Sequence, residues 1–528
     1  MRCTTTAWLW LLLAACLVAP GCSGCSSATA EPAPEPDRPP KVVANADELA
    51  LAQTANRDFA IKMYQQLAQE RPGENLFFSP FSMSSSLLIA AEGATGETAD
   101  QMDKVLGVPS GQRAAIHKGQ GAIYYRLSPE PTSPEVREKI AQLRRDLEAV
   151  NVQIERLEES KKWEENRNLR RTAHGLADEL NGLLKENEPY EWRAANALWA
   201  EKTYPFRAAY LDTIHPNYGN VLLPVDFRQN SEAASKDINV WVEQQTHDRI
   251  KELLPPASVS TMTRLVITNT VYFKGEWLEP FKESATKPKD FHLADGTKIS
   301  TPMMSQYAYN NAGYAAFQAN GSPFATPHDI PFDMRDDDPS LYPDAGGFTM
   351  LELPYKGAKL AMAIIVPRSA NGLADLERKL TADAIQNWIG SIQRRESIAN
   401  VPKFKLATEY AVEKSLQSLG MVRAFQEPGG PHGAQFERMT ESKDPNQQLF
   451  ISAVRHKTFF EVNEKGAEAA AVTEVGMVTT AAPPGEGYRA PKTRPFIPTF
   501  WADKPFLFAI YDLDTHSLLF LGRMVTPE

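Results

Sequence analysis

The sequence holds few residues whose spacing suits catalysis. Ser284 and Lys287 have the S-x-x-K spacing of a nucleophile and its base, but no companion motif occurs. Residues 485–490 match G-x-G-x-x-A, yet they follow two prolines instead of a strand. We find no G-x-S-x-G elbow, H-E-x-x-H motif or Walker loop, and the nine histidines lack metal-ligand spacing. We therefore expect no enzymatic activity, cofactor or metal; a hydrolase with an unrecognised site is the remaining catalytic alternative.

The most informative stretch is 464–483, a long row of small residues with no proline before Pro483. In a β-strand successive side chains alternate between two faces. Glu468 and Glu474 would then share one face, and the other face would be uncharged from Ala467 to Thr479. One buried and one solvated face are typical of a strand in a sheet. A helix is the alternative, since Ala and Glu favour it, but residues 472–480 argue against a stable helix. The segment is able to change between an exposed loop and a sheet strand.

All four cysteines lie in the first 25 residues, at positions 3, 16, 22 and 25. The rest of the chain therefore has no disulfide framework, thiolate nucleophile or thiolate zinc site. Cys22 and Cys25 form a C-x-x-C pair, but no strand and helix surround it, so we do not interpret it as a redox or metal site.

The N-terminus has the features of an export signal. Arg2 precedes an apolar run over residues 7–18, which is short for a membrane span and is followed by small residues. Cysteines after small residues suggest a bacterial lipoprotein signal over residues 1–25. Cys16 has the more regular context, but Cys22 is better placed and is our candidate for lipidation; cleavage without a lipid is the alternative. The Pro-rich residues 26–46 would form a tether. We expect a periplasmic or cell-surface lipoprotein, otherwise a secreted protein.

Composition is that of a globular protein, with 42 % hydrophobic and 23 % charged residues. The net charge of −10 provides no basic field, so we expect no nucleic-acid partner. Helical spacing occurs at residues 58–67, 87–91, 238–254 and 407–419. Strand-like runs occur at 265–273, 349–353, 360–366, 459–462 and 506–511. This mixture is not a regular βαβ alternation, and it predicts an α+β fold.

Three segments have the character of insertions. Residues 129–188 carry a heptad seam from Val136 to Leu157 and a second leucine series, which predict a helical hairpin. We prefer an arm that packs on itself to a coiled coil that docks a partner or dimerises, because the seam spans only about three heptads. Residues 318–347 are rich in Pro, Asp and Gly and predict a surface loop. Residues 483–499 form the third insertion.

From residue 47 to residue 528, apart from these insertions, the chain resembles a serpin. The resemblance is carried by short motifs in a fixed order: residues 75–82 (NLFFSPFS), 93–98 (GATGET), 238–246, 268–277 (TNTVYFKGEW), 352–357 (ELPYKG), 401–404 (VPKF), 456–457 (HK), 464–473, 503–506 (DKPF) and 519–523 (LFLGR). No single motif is decisive, but their order and spacing together are specific.

The resemblance implies a three-sheet fold with a large central sheet, about nine helices and an exposed reactive loop. It further implies that a target protease attacks the loop and forms an acyl-enzyme. The freed loop then enters the central sheet as a new strand and distorts the protease before water can release it. The uncharged face of residues 467–471 suits such insertion, because bulky or charged groups would be costly inside a packed sheet.

Family roles carry over to matching positions. The hinge comprises Glu464, Gly466, Ala467, Glu468, Ala469, Ala470, Ala471 and Thr473. Ser79, Ser82, Asn269 and His456 match a polar cluster under the region where the sheet opens, and Trp277 matches the aromatic residue where insertion starts. For each of these the plain interpretation is capping or core hydrogen bonding, which is also structural.

The spacing of the family, counted from Glu464, implies a reactive bond between Thr480 and Ala481. The partner expected from small residues at this bond is an elastase-like or subtilisin-like serine protease, or a cysteine protease. The chain departs from the family in its long segment after Ala481, in Thr480 itself and in Val472. We expect a monomer. A non-inhibitory serpin that binds partners through the helical arm is the alternative function.

Overall fold

The computed structural model describes residues 39–128, 133–159, 190–246, 248–255, 258–309, 311–442, 448–467 and 492–527, with parts of 168–183. The helices are α1 Ala46–Glu70, α2 Pro80–Glu92, α3 Gly96–Leu106, α4 Arg113–Leu127, α5 Pro134–Glu159, α6 Ala208–Tyr218, α7 Phe227–Gln245, α8 Leu373–Lys379, α9 Ala382–Gly390 and α10 Glu413–Ser418. Outside the arm at residues 129–188, nine α-helices therefore lie in this part of the chain. Within it, no helix is long and apolar enough to cross a bilayer.

A six-stranded sheet forms the centre of the fold. Its strands, in spatial order, are β13 Phe404–Ala411, β14 Ile451–Asn463, β15 Gly466–Ala467, β4 Leu265–Glu276, β2 Tyr190–Glu201 and β3 Leu222–Val225. β14 and β4 are parallel and also pair directly with each other, from Ile451 beside Leu265 to Phe459 beside Tyr272.

Two further sheets pack around it. The seven-stranded sheet is antiparallel and runs β1 Leu76–Phe78, β19 Leu518–Met524, β18 Phe506–Asp512, β10 Leu360–Pro367, β9 Phe348–Pro354, β7 Gly313–Phe317 and β11 Gln393–Arg394. The four-stranded sheet runs β17 Thr499–Trp501, β12 Ser397–Pro402, β6 Lys298–Tyr309 and β5 Lys287–His292. A two-stranded sheet joins β16 Thr493–Pro495 to β8 Asp329–Pro331.

The main core lies between the six-stranded and seven-stranded sheets. Phe77 of β1 stacks on Phe460 of β14 at 4.8 Å and on Phe520 of β19 at 4.9 Å, measured between ring centroids. All three side chains are fully buried. This aromatic contact ties the central sheet to the last strand of the chain, and it keeps the N-terminus of α2 directly beneath β4 and β14.

The helical arm folds on itself. Ile140, Leu143 and Leu180 are buried against one another, and Val136, Leu147, Leu176 and Leu183 pack around them. These residues belong to α5 and to the described helical residues between 168 and 183. The predicted hairpin contact is therefore present in the described part of the arm.

The sequence-based strands are confirmed, whereas two helices are corrected. The predicted helix at 238–254 begins earlier, at Phe227, where Asp226 accepts a hydrogen bond from the amide of Gln229, and it ends at Gln245. The predicted helix at 407–419 is wrong before residue 413. Residues 404–411 form β13 because Phe404, Leu406 and Tyr410 alternate inward at strand spacing and pair with β14.

Candidate functional site

The central sheet is open at one end, and the start of the hinge lies in the opening. Gly466 of β15 pairs with Glu276 of β4 and with Asn463 of β14. The next residue, Ala467, pairs with Gly275 and Val462 in the same antiparallel sense. Direct pairing between β4 and β14 begins only below this level. A short strand thus separates the ends of two parallel strands.

Gly466 is required by the geometry of this entry. Its φ of +142° lies in the region that side chains rarely adopt, and a Cβ there would lie 2.1 Å from the carbonyl oxygen of Gly275. No other residue fits between the two strands without moving their backbones.

Trp277 holds the turn that leads into β15. Its indole nitrogen donates to the carbonyl of Asn463 at 3.0 Å, and its backbone N–H donates to the carbonyl of Lys465 at 2.8 Å. The fully buried indole stacks on Tyr355 with ring centroids 4.7 Å apart. Trp277 therefore fixes where the chain leaves β14 and turns back into the sheet.

Glu464 is anchored beside this turn. Its carboxylate lies 2.8 Å from Lys403 Nζ and accepts a hydrogen bond from Thr286 Oγ1 at 2.8 Å. Burial alone would raise the pKa of Glu464, but hydrogen bonds from Lys403, the backbone and Thr286 hold it below its usual value. The segment with the S-x-x-K spacing therefore has a structural role, because Thr286 within it binds Glu464 of the hinge.

The predicted polar cluster is assembled about eight residues away along β4, roughly 26 Å from Trp277 at strand rise. Ser79 caps α2, and its hydroxyl donates to the carbonyl of Leu519 at 2.6 Å. The backbone N–H of Ser79 donates to His456 Nε2 at 3.0 Å. Because Nε2 accepts, the proton of the neutral ring lies on Nδ1, which donates to Asn269 Oδ1.

Two members of this cluster were missed from the sequence. The amide of Asn269 donates to Asn196 Oδ1 at 2.7 Å and to Ser86 Oγ at 3.0 Å, and Ser82 Oγ also donates to Asn196 Oδ1, at 2.6 Å. The sequence feature that could have indicated Asn196 is a single side-chain amide within a run of small and apolar residues in β2. We call Ser79, Ser82, Ser86, Asn196, Asn269 and His456 the polar cluster. It joins α2, β2, β4 and β14 through side-chain hydrogen bonds.

Burial lowers the pKa of His456 to about 3, although the contact with Asn269 opposes the shift. The ring is therefore neutral at physiological pH. It bridges β14 and β4 at the pair His456 and Asn269, where the two strands are in direct contact.

The other predicted site positions lie outside the described residues. These are Glu468, Ala469, Ala470, Ala471, Thr473, Thr480 and Ala481, together with Cys22; of Ala467 only the backbone is described. The structure thus brings together Glu464, Gly466, Ala467 and Trp277 at the open end of the sheet. Ser79, Ser82, Asn269 and His456 form a second group further along it.

The chain beyond the loop is held by the segment predicted as a surface loop. β16 pairs with β8, and Arg494 of β16 contacts both carboxylate oxygens of Asp336, at 2.8 and 3.0 Å. Beneath this pairing Ile330, Leu341, Tyr342 and Phe496 form a small buried cluster. We call residues 328–342 and 492–499 the clamp. Segment 318–347 therefore contains a strand and its own core.

The comparisons with known proteins agree with this architecture. The family model described as serpin, serine protease inhibitor, matches residues 54–151 and 142–527. An uncharacterized serpin-like protein of Thermococcus kodakarensis is 32 % identical over 474 residues, covering 90 % of this chain and 85 % of the relative. Serpin B3 of Homo sapiens is 32 % identical over 476 residues, covering 90 % and 98 %.

Solved structures show the same fold at lower identity. Uncleaved ovalbumin matches with a TM-score of 0.62 and 22 % identity, covering 90 % of this chain and 99 % of that chain. Thyroxine-binding globulin in complex with thyroxine matches with a TM-score of 0.61 and 22 % identity, covering 90 % and 99 %. On the family match and these relatives, the chain belongs to the serpin family.

Proposed function

We propose that this protein is a suicide-substrate inhibitor of serine-type endopeptidases. A protease attacks the loop between Ala467 and Lys492 and becomes acylated. The N-terminal part of the cut loop then extends β15 into the gap that opens as β4 and β14 part. The protease is carried along on its ester bond and is distorted before it can deacylate.

The observation that carries the proposal is the position and direction of β15. It already lies between the ends of β4 and β14, antiparallel to both, so insertion continues an existing strand as the direct pairing of β4 with β14 separates. Continuing its register places Met477 beside Leu265 and Val478 beside Ile451, which are the first paired residues of β4 and β14. The gap would thus be filled by residues 467–478, roughly 36 Å of strand. The proposed reactive bond after Thr480 lies just beyond its lower end.

The same register supports the two faces inferred from the sequence. Ala469 would lie between Phe460 and Phe273, and Ala471 between Thr458 and Val271; all four neighbours are buried. Small side chains suit this face because it is already packed. Glu474, on the opposite face, would lie beside Arg455, an opposite charge.

Insertion must also part the polar cluster. In the continued register Thr473 falls between His456 and Asn269, whose direct hydrogen bond then cannot persist. The hydroxyl of Thr473 can donate to one neighbour and accept from the other. This supports a role for the cluster as the contact that keeps the sheet closed until the loop is cut.

The test is incubation with a panel of serine and cysteine proteases, followed by a search for denaturant-resistant adducts. Ala469→Arg should abolish trapping and turn the protein into a substrate, because the inserted side chain would bury a charge at a cost of several kcal/mol. Glu468→Arg is the matched control, since it places the same side chain one residue earlier on the face that already carries a carboxylate. Loop cleavage should raise the melting temperature of the wild type markedly, and of Ala469→Arg little. Stable adducts of Ala469→Arg at wild-type stoichiometry would refute insertion.

The cleavage position follows from the length of the tether. We propose Thr480–Ala481, which suits an elastase-like or subtilisin-like enzyme with a small apolar primary pocket. Trypsin should instead cut after Arg489, which adds roughly 30 Å of slack, so that deacylation wins. The released C-terminal fragment should begin at Ala481 in a trapped complex. A trypsin adduct whose fragment begins at Ala490 would contradict both the site and the length argument.

A binding function without inhibition is the second candidate. The self-packed helical arm offers a separate surface, and the similar fold of thyroxine-binding globulin carries a ligand in its complex. For such a protein we expect loop cleavage to leave the melting temperature unchanged and the protease panel to yield no adduct.

We also propose that residues 1–25 are a bacterial lipoprotein signal with Cys22 as the lipidated residue, and that residues 26–46 tether the fold to a membrane. The charged residue, apolar run and cysteines at the N-terminus support this. The inhibitor would then act in the periplasm or at the cell surface as a monomer.

A further inference from the structure

The clamp lies where the reactive loop rejoins the fold. The backbone N–H of Phe332 donates to the carbonyl of Lys492 at 3.1 Å, and that of Phe496 donates to the carbonyl of His328 at 2.9 Å. Arg494 Nη2 adds a hydrogen bond to the carbonyl of Met334 at 2.7 Å. The surface of residues 328–342 is therefore fixed relative to the first described residue after the loop.

This surface exposes aromatic side chains. Phe332 is 55 % exposed, and Tyr307 of β6 is 69 % exposed. Tyr307 lies two residues before Tyr309, which pairs with Ser397 of β12, and the next residue of β12, Ile398, pairs with Thr499 of the clamp. Trp501 of β17 is 39 % exposed in the same four-stranded sheet. Over the described residues, these three are the only aromatic side chains among the exposed large hydrophobic ones. Their location at one end of the loop is unexplained by packing within the chain.

The rim of the surface is acidic. Asp329, Asp333 and Asp337 are exposed, and Asp336, Asp338 and Asp344 lie in the same segment, against Arg335 there and Lys492 and Arg494 across the clamp. Asp336 and Asp337 are paired with Arg494 and Arg335, so Asp329 and Asp333 are the carboxylates that a partner would meet. Exposed aromatic residues within a charged rim are typical of binding hot spots. A partner for this surface would present an apolar patch bordered by basic groups.

The length of the chain between the reactive bond and the clamp indicates which partner binds this surface. Twelve residues separate Thr480 from Lys492, so a protease bound at the reactive bond lies within roughly 40 Å of contour of the clamp. A protease domain of ordinary size is itself roughly 40 Å across. Its body can therefore reach Phe332 while its cleft holds the loop.

We propose that Phe332, Tyr307, Trp501 and the acidic rim form an accessory docking surface for the target protease, which it contacts through an apolar patch with a basic border. The inference rests on the proposed inhibitory function. The contact exists only in the first encounter, since the acylated protease leaves this end of the sheet when the loop inserts. It therefore sets the rate of association and leaves the final complex unaffected.

The experiment uses the full-length protein and the protease of the panel that the wild type inhibits fastest. Phe332→Ser and Tyr307→Ser, on separate elements, should each lower the second-order rate constant of inhibition about tenfold, the usual effect of losing one hot-spot side chain. Asp333→Lys should also lower this rate constant. The decrease should be larger at low salt than at high salt, because salt screens the interaction between the two charged surfaces. Val422→Ser, an exposed aliphatic residue outside the clamp, is the matched control. Stoichiometry of inhibition and the half-life of the adduct should stay at wild-type values, and melting curves check the fold of each variant.

The outcomes separate the two proposals. Rate constants within about twofold of wild type for both serine variants, with adducts still formed, would overturn the docking surface alone. A dimer that dissociates on Phe332→Ser, seen by sedimentation, would assign the surface to a second copy of this chain and also overturn it. No adduct with any protease would remove the inhibitory function, and the docking role with it.

Discussion

At the scale of single residues, His456 joins a structural role to a titration. Its neutral ring accepts from the Ser79 amide through Nε2 and donates to Asn269 through Nδ1. A second proton on Nε2 would face the Ser79 N–H, so the folded state resists protonation and burial lowers the pKa to about 3.

This shift predicts a loss of stability in acid. The unfolded chain binds a proton at this residue below pH 6.5, whereas the folded chain does so only near pH 3. Stability is therefore fully present above pH 6.5 and falls by about 1.4 kcal/mol per pH unit on the way down to pH 3. Guanidinium-induced unfolding at pH 7.5 and at pH 4.5 measures this change in the free energy of unfolding.

The matched variants are His456→Gln, which keeps a donor and an acceptor but does not titrate, and His215→Gln, an exposed histidine on α6. The stability gap between wild type and His456→Gln should shrink by about 3 kcal/mol over the two units below pH 6.5. His215→Gln should follow the wild-type curve. Parallel curves for wild type and His456→Gln would show that His456 is not the acid-sensitive group.

Some residues of the site could be identified from sequence motifs, and others could not. Ser79, Ser82, Asn269 and His456 lie within motifs that the sequence displays, so the resemblance was enough to name them. Asn196 and Lys403 were missed because their roles depend on register: Asn196 faces Asn269 across β2 and β4, and Lys403 meets Glu464 from 61 positions away. Spacing along the chain carries no record of such pairings.

At the scale of elements, strands were predicted better than helix boundaries. β4, β9, β10 and β18 each contain a run rich in apolar and β-branched residues, which a sequence displays directly. β13 was predicted as a helix because its apolar residues also fit helical spacing, and only pairing with β14 decides between the two periods. The clamp was predicted as loop, since its strand has three residues and Arg494 in the partner strand pairs with Ile330 from 164 positions away.

The helical arm allows a prediction about what it does not do. Its two ends meet at the fold, where the Tyr190 hydroxyl donates to the carbonyl of Leu127 at 3.1 Å. Its apolar side chains pack on each other. Replacing residues 130–187 by a short Gly-Ser linker should therefore leave the melting temperature and adduct formation close to wild type, with rate constants within about twofold, as for other insertions at surface positions.

A second deletion variant, in which a shorter linker joins the same two residues, is the control for strain at the junction. Loss of adducts in both deletions, with the fold intact by circular dichroism, would show that the arm belongs to the inhibitory machinery.

At the scale of the whole molecule, the proposed lipid anchor predicts where the protein is found. A lipid on Cys22 adds buried methylene groups that membranes bind, and the Pro-rich residues 26–46 keep the fold clear of the surface. Native protein should partition into the detergent phase, and Cys22→Ser should move it to the aqueous phase. Cys25→Ser is the control and should partition as wild type. A native protein that stays in the aqueous phase, with a mature N-terminus beyond Cys25, would exclude the anchor.

β15 lies between the ends of β4 and β14, and in the proposed mechanism the two strands part once to admit its continuation. Each molecule would then neutralise one protease and be spent, with no turnover to multiply its effect. In a cell that exports such a protein, the number of protease molecules that can be inhibited would equal the number of inhibitor molecules supplied by synthesis and export.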